Sequence, residues 1–162
     1  MNFANLNIFS HLSPELSTFL IAMIPIGELR ASIPIALGVY HLPPLKAFFW
    51  SVLGNLIPGF LFLWLLAPLT NFLEKHFYLL NRFFLWLFER TRKKHSQKFE
   101  AWGALALISF VAIPLPITGV WSGAIAAFVF GIPYKKGVLM ISLGAMIAGI
   151  IVTLVSLGVL KI

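Results

Sequence analysis

The stretch Pro25-Ile-Gly-Glu-Leu-Arg-Ala-Ser-Ile-Pro34 places Glu28 and Arg30 in an apolar run, Leu16 to Leu42, that is otherwise without charge. Charge at bilayer depth is costly, starting at about 2.5–3.5 kcal/mol per residue at a helix centre. Chains keep such a pair where a polar path through the bilayer offsets the cost, so both residues are candidates for function. The run is about 27 residues long, more than the ~20 that cross a ~30 Å hydrocarbon core. Pro25, Gly27, Glu28, Arg30 and Pro34 interrupt it near its middle. Each limb is then about ten residues, or ~15 Å at helical rise. That length reaches the bilayer centre and returns. It predicts a re-entrant helical hairpin, whose irregular tip must be covered by protein or by a water-filled cavity.

Composition agrees. The chain has 162 residues, 60% hydrophobic and 10% charged, with a mean hydropathy of +0.96. Soluble domains are about 45–50% apolar and about 25% charged. The reading is a single integral membrane domain over residues 1–162. Cysteine is absent, which excludes disulfides and thiolate-bound metal. Residues 1–15 lack the basic start and continuous apolar core of a signal peptide and read as a surface lead-in. The net charge is +7, and five of the twelve Lys and Arg cluster in the segment 89–100, ERTRKKHSQKFE. Without interleaved aromatics this is a cytoplasmic loop of the positive-inside kind, so no nucleic-acid partner is expected.

The remaining segments fall into order around that loop. Ala47 to Leu69 is a transmembrane helix, with Pro58-Gly59 as a kink or close-packing point. Between residues 71 and 88, Asn71, Glu74, Lys75, Tyr78, Asn81 and Arg82 form a polar stripe on an aromatic-rich helix. That pattern predicts an amphipathic helix in the membrane interface, the alternative being a further span. A second broken run extends from Gly103 to Ile132, interrupted at Pro114-Leu-Pro-Ile-Thr-Gly-Val-Trp-Ser-Gly123. A second span follows, Gly137 to Leu160.

The halves align at an offset of about 90 residues. Ser32 falls on Ser122, Lys46 on Lys136, Gly54 on Gly144, Gly59 on Gly149 and Glu28 on Thr118. The predicted fold is all-α integral membrane: an inverted repeat of a re-entrant hairpin plus a transmembrane helix, joined by an amphipathic helix and basic loop. Repeat one is 16–69, the connection 71–100 and repeat two 103–160. If residues 71–88 lie flat, the repeats are inverted and their tips meet near the midplane, a transporter architecture. If those residues span, the repeats are parallel.

Glu28 reads as a proton-titrating carboxylate, or else as half of a fixed ion pair with Arg30. Positions i and i+2 do not face each other on a helix, so a direct pair needs non-helical backbone at the tip. Arg30 stays charged and suits either Glu28 or a bidentate anionic group. Ser32 and Pro34 read as the cap and first turn of the second limb, with Thr118, Gly119 and Ser122 in the equivalent place. The hydroxyls either cap backbone or touch substrate, and two inward helix starts favour an anion. Asn55 lines the path or bonds across helices, and Trp121 lines the cavity. The hairpin breaks are Pro25, Gly27, Pro34, Pro114, Pro116 and Gly119. His11, His41, His76 and His95 lack metal-ligand spacing. No metal, cofactor or catalytic motif is present, and no enzymatic activity is expected.

The stretch from Pro25 to Gly38 resembles the signature of the small multidrug export protein family. Pro114-Leu-Pro-Ile-Thr-Gly-Val-Trp121 resembles that family's second motif, with Val120 where alanine is usual. The family is related to the DedA, or VTT-domain, superfamily. The resemblance covers nearly the whole chain and implies two facing re-entrant hairpins. It also implies proton-coupled transport or lipid translocation that depends on Glu28 and Arg30. Thr118 stands where DedA relatives carry a further acidic tip residue, leaving one titratable tip. The expected protein is a proton-coupled transporter in a prokaryotic inner membrane. Its partners are protons, membrane lipids and a small or lipid-like substrate, anionic if Arg30 binds it. A homodimer suits so small a domain. The alternatives are a phospholipid or polyprenyl-phosphate translocase of DedA type, and a membrane scaffold packed through its glycine faces.

Overall fold

The computed structural model describes residues 12–76, 97–115 and 118–160. Every regular element among them is a helix: α1 (Pro14–Met23), α2 (Glu28–Gly38), α3 (Pro44–His76), α4 (Gln97–Ala112), α5 (Val120–Val129) and α6 (Tyr134–Leu160). The two interruptions, at residues 24–27 and at 113–115 with 118–119, take up only the first part of each expected break: Glu28, Arg30 and the expected break residue Pro34 lie inside α2, and Val120 to Gly123 lie inside α5. Pro116, most of the expected amphipathic stretch and residues 89–96 of the basic loop lie outside the described residues.

The expected first span, Ala47 to Leu69, falls within the apolar stretch Pro44–Thr70, and the helix itself runs on past it to His76. Pro68 withdraws only one backbone donor, and Thr70 Oγ1 sits 2.9 Å from the Leu66 carbonyl and 3.0 Å from that of Ala67. The polar loop ends early, since Gln97 to Glu100 already belong to α4. Those residues include good helix formers and neither Gly nor Pro. Ser32 and Pro34 do not start the second limb. The helix begins at Glu28, with Gly27 at its cap, so Ser32 and Pro34 lie inside it.

The stretch Pro44–Thr70 of α3 and the whole of α6 are each 27 residues long and apolar enough to cross a membrane. At 1.5 Å per residue each measures ~40 Å. Their most apolar windows are only 28% and 33% buried, and Leu61, Trp64, Leu139, Leu154 and Val159 are exposed. A core helix of a soluble protein buries most of its apolar surface. These two leave most of theirs exposed, as membrane-crossing helices do.

The described residues pack as two units. The first comprises residues 12–55 and 149–160, the second the described residues between 56 and 148. In the first unit, α1 packs on α2. Ser13 caps α1 by accepting the Leu16 N–H at 3.3 Å, and Pro14 opens its first turn. Lys46 Nζ donates to Glu15 Oε1 at 3.1 Å, which brings the starts of α1 and α3 together. The end of α2 lies against the end of α6, where a Cβ on Gly38 would sit 3.5 Å from Leu160. Gly149, earlier in α6, lies against Phe48 and Val52 of α3. Within this unit α6 therefore runs antiparallel to α3. Trp50 holds Phe19 edge-on at 6.3 Å.

In the second unit, α4 packs on α5 around Leu107, Val111, Val120, Ala124, Ala127 and Ile141. Gly59 is filled against by Val120, and Gly137 faces Leu63. Small residues of this kind let helices approach closely where no hydrophobic effect drives them together. Both units use the same device at the 90-residue offset. Gly54 abuts the Phe19 carbonyl and Ala22 of α1, and Gly144 abuts the Ile108 carbonyl and Val111 of α4. The loops that follow α2 and α5 also correspond. His41 and Gly131 both have positive φ, 51° and 69°. Ala47 N–H donates to Pro43, and Gly137 N–H donates to Pro133.

A candidate polar site at the first hairpin tip

Ile24 ends α1, and Pro25 cannot extend it. The Glu28 N–H reaches back across Pro25, Ile26 and Gly27 to the Ile24 carbonyl at 3.0 Å. Glu28 pays for this turn with a φ of 50°, a left-handed conformation that costs a non-glycine residue about 1–3 kcal/mol. Its residue surface is only 5% exposed. A buried, backbone-strained glutamate at a hairpin tip is held by its surroundings and not by local preference.

The carboxylate belongs to the first turn of α2, where the helix dipole favours negative charge. It also acts electrostatically on Arg30. Arg30 is half-buried. Pro34, four residues on, has no N–H to give the Arg30 carbonyl. Ser32 is one turn beyond Glu28 and wholly buried. It is no cap, because the helix starts before it.

Asn55 is also wholly buried, and neither its Oδ1 nor its Nδ2 has a hydrogen-bond partner among the described residues. Pattern reading missed Ser17 and Ser51, which share both properties. It also missed the Glu15–Lys46 pair. The signal for Ser51 was its spacing, one turn before Asn55. Of the buried polar residues in the described structure, all but Thr70 belong to the first unit.

The second break is built differently. Thr118 Oγ1 donates to the Ile113 carbonyl at 2.6 Å, with that of Leu115 at 3.1 Å, and accepts the Leu115 N–H at 3.2 Å. Ser122 Oγ donates to the Gly119 carbonyl at 3.3 Å. Both hydroxyls serve local backbone. Gly119 caps α5 in an extended conformation, and neither α2 nor α5 has a side-chain cap. Trp121 packs on Phe62 at 5.1 Å, while its Nε1 is buried without a partner among the described residues.

Two long apolar helices, short helices on either side of two breaks and a buried glutamate at the first break fit an all-helical membrane protein. The family described as "Putative small multi-drug export protein" matches residues 28–151. The chain belongs to this export family, which is not an enzyme family. No curated protein and no solved structure matches it.

Proposed function

We propose that the protein is a proton-coupled exporter whose working carboxylate is Glu28. The observation that carries this reading is Glu28 itself: buried, at positive φ, on the tip of a short helix pair beside Arg30. Intramembrane ionisable groups mark ion and substrate pathways, and strain retained at one residue is characteristic of functional positions.

The architecture in this reading is an inverted repeat of re-entrant hairpins. The limbs α1 and α2 have 10 and 11 residues, ~15 Å each at helical rise, about half of a ~30 Å core. They start and finish at the end of their unit that also bears the start of α3. The antiparallel run of α3 and α6 in the first unit supports inversion, since each follows its own hairpin. In the lipid-translocation alternative, Arg30 and the start of α2, which has no side-chain cap, suit the phosphate of an anionic lipid.

Reconstituted protein under an imposed pH gradient tests the reading, with ethidium and a fluorescent anionic phospholipid as probes. Glu28→Gln should abolish the pH dependence of ethidium movement at an unchanged melting temperature. Unaltered pH-driven transport overturns the proton role. Phospholipid movement that is lost in Arg30→Ala, with ethidium untransported, replaces export by lipid translocation.

A further inference from the structure

We propose that the first unit holds a water-filled polar track, formed by Ser17, Ser32, Ser51 and Asn55, leading from the end that bears Glu15 and Lys46 to Glu28. Its purpose rests on the proton-carrier reading of Glu28; its existence does not.

All four side chains are wholly buried, and the three Oγ atoms and both polar atoms of Asn55 lack a hydrogen-bond partner among the described residues. Buried polar side chains are almost always bonded. A hydroxyl on an apolar helix usually turns to its own backbone. Thr18, Ser142 and Thr153 do so, at 2.8, 2.7 and 2.7 Å from the carbonyls one turn earlier. Ser17, Ser32 and Ser51 have the same recourse and do not take it.

Their places in the helices form a graded series. Ser51 and Asn55 are one turn apart and share a face, flanking Gly54, which abuts α1. Ser32 is one turn from Glu28 along α2. The starts of α1 and α3 are joined by Glu15 and Lys46, and the short loop 39–43 brings the end of α2 to the same end of the unit. Depths along the three helices therefore share one origin. At 1.5 Å per residue, Ser17 lies ~5 Å in, Ser32 and Ser51 ~10 Å, and Asn55 and Glu28 ~15–17 Å.

The orphaned atoms also specify their ligand. Asn55 offers a donor and an acceptor, and each hydroxyl can act as either. A metal cation satisfies acceptors only, and an anion donors only. Water satisfies both, typically through about three hydrogen bonds. A file of waters here would carry protons by ordinary relay. A hydronium enters at the Lys46 end, each water accepts one proton and passes one on, and the Glu28 carboxylate takes the last.

The chain contains no cysteine, so single cysteines report without background. Ser17→Cys, Ser51→Cys and Asn55→Cys, in intact cells and in inverted vesicles, are exposed to a membrane-impermeant methanethiosulfonate. Lys46→Cys marks the face, and Ile33→Cys, at a wholly buried apolar position, is the dry control. Thiols react as thiolates, which form only in wet surroundings. The three track cysteines should label from the Lys46 face, more than about tenfold faster than Ile33→Cys. Labelling at the control rate, or from the opposite face only, overturns the track. The readout is independent of transport. Labelled cysteines with an inert Glu28→Gln leave the track standing without its proton role. Unlabelled cysteines with a Glu28→Gln that abolishes coupling do the reverse.

Discussion

Gly54 of α3 lies directly against the backbone carbonyl of Phe19 in α1, and a Cβ at this position would collide with that oxygen. Backbone cannot swing aside as a side chain can. Gly54→Ala should destabilise the protein by about 1–3 kcal/mol. Gly144→Ala should do the same at the corresponding place, where the Ile108 carbonyl would be 2.9 Å away. Gly158→Ala, with nothing within 4 Å, should be neutral or stabilise by up to about 1 kcal/mol through helix propensity. Thermal unfolding in detergent ranks the three.

His41 is forced into the left-handed region at φ 51°. Its counterpart ninety residues on is Gly131, at φ 69°, where the absence of a Cβ removes the clash. His41→Gly should therefore stabilise by about 1 kcal/mol, the left-handed penalty less the added chain entropy of glycine. Gly131→His should destabilise by a similar amount. Opposite shifts in melting temperature are the expected result.

Acid should loosen the join between α1 and α3. The Glu15 carboxyl is held below its ordinary value of 4.5, first by a hydrogen bond from its own backbone amide and then by Lys46. With the folded pKa below the unfolded one, this stabilisation is complete above about pH 4.5 and fades as pH falls through the folded value. Glu15→Gln should flatten that acid limb in a melting curve against pH. Lys46→Met should flatten it only in part, because the backbone hydrogen bond remains.

Thr118→Val should cost about 0.5–1.5 kcal/mol, since the exposed Leu115 N–H and Ile113 carbonyl exchange the Thr118 hydroxyl for solvent. Thr118→Ser restores the hydroxyl and should recover most of the stability. If Thr118 serves the break alone, transport per folded molecule in the valine variant is unchanged. A loss of substrate affinity in a stably folded valine variant would return Thr118 to the substrate path.

Much of this was legible in the linear chain. The start of both interruptions and both long helices follow from proline, glycine and charge placed against lengths of apolar sequence. These are local or additive properties. The ninety-residue offset was legible for the same reason, and it reappears in the paired loops around His41 and Gly131 and the paired contacts of Gly54 and Gly144.

Burial and pairing were decided elsewhere. A serine in an apolar helix looks the same whether it bonds its own backbone, as Thr18 does, or is buried without a partner, as Ser17 is; only the packed neighbours separate the two. Ser32 and Pro34 read as a helix start. They became interior because the turn across Pro25 to Gly27 lets the helix begin at Glu28. Lys46 and Glu15, far apart in sequence, pair because the hairpin folds back on itself. The sequence alone determined a membrane protein with a charged break, since hydropathy and the cost of buried charge need no partner. Tertiary packing decided that Glu28 sits buried and strained beside Arg30, and that the unbonded serines and Asn55 gather in its unit, because burial belongs to neighbours brought together by the fold.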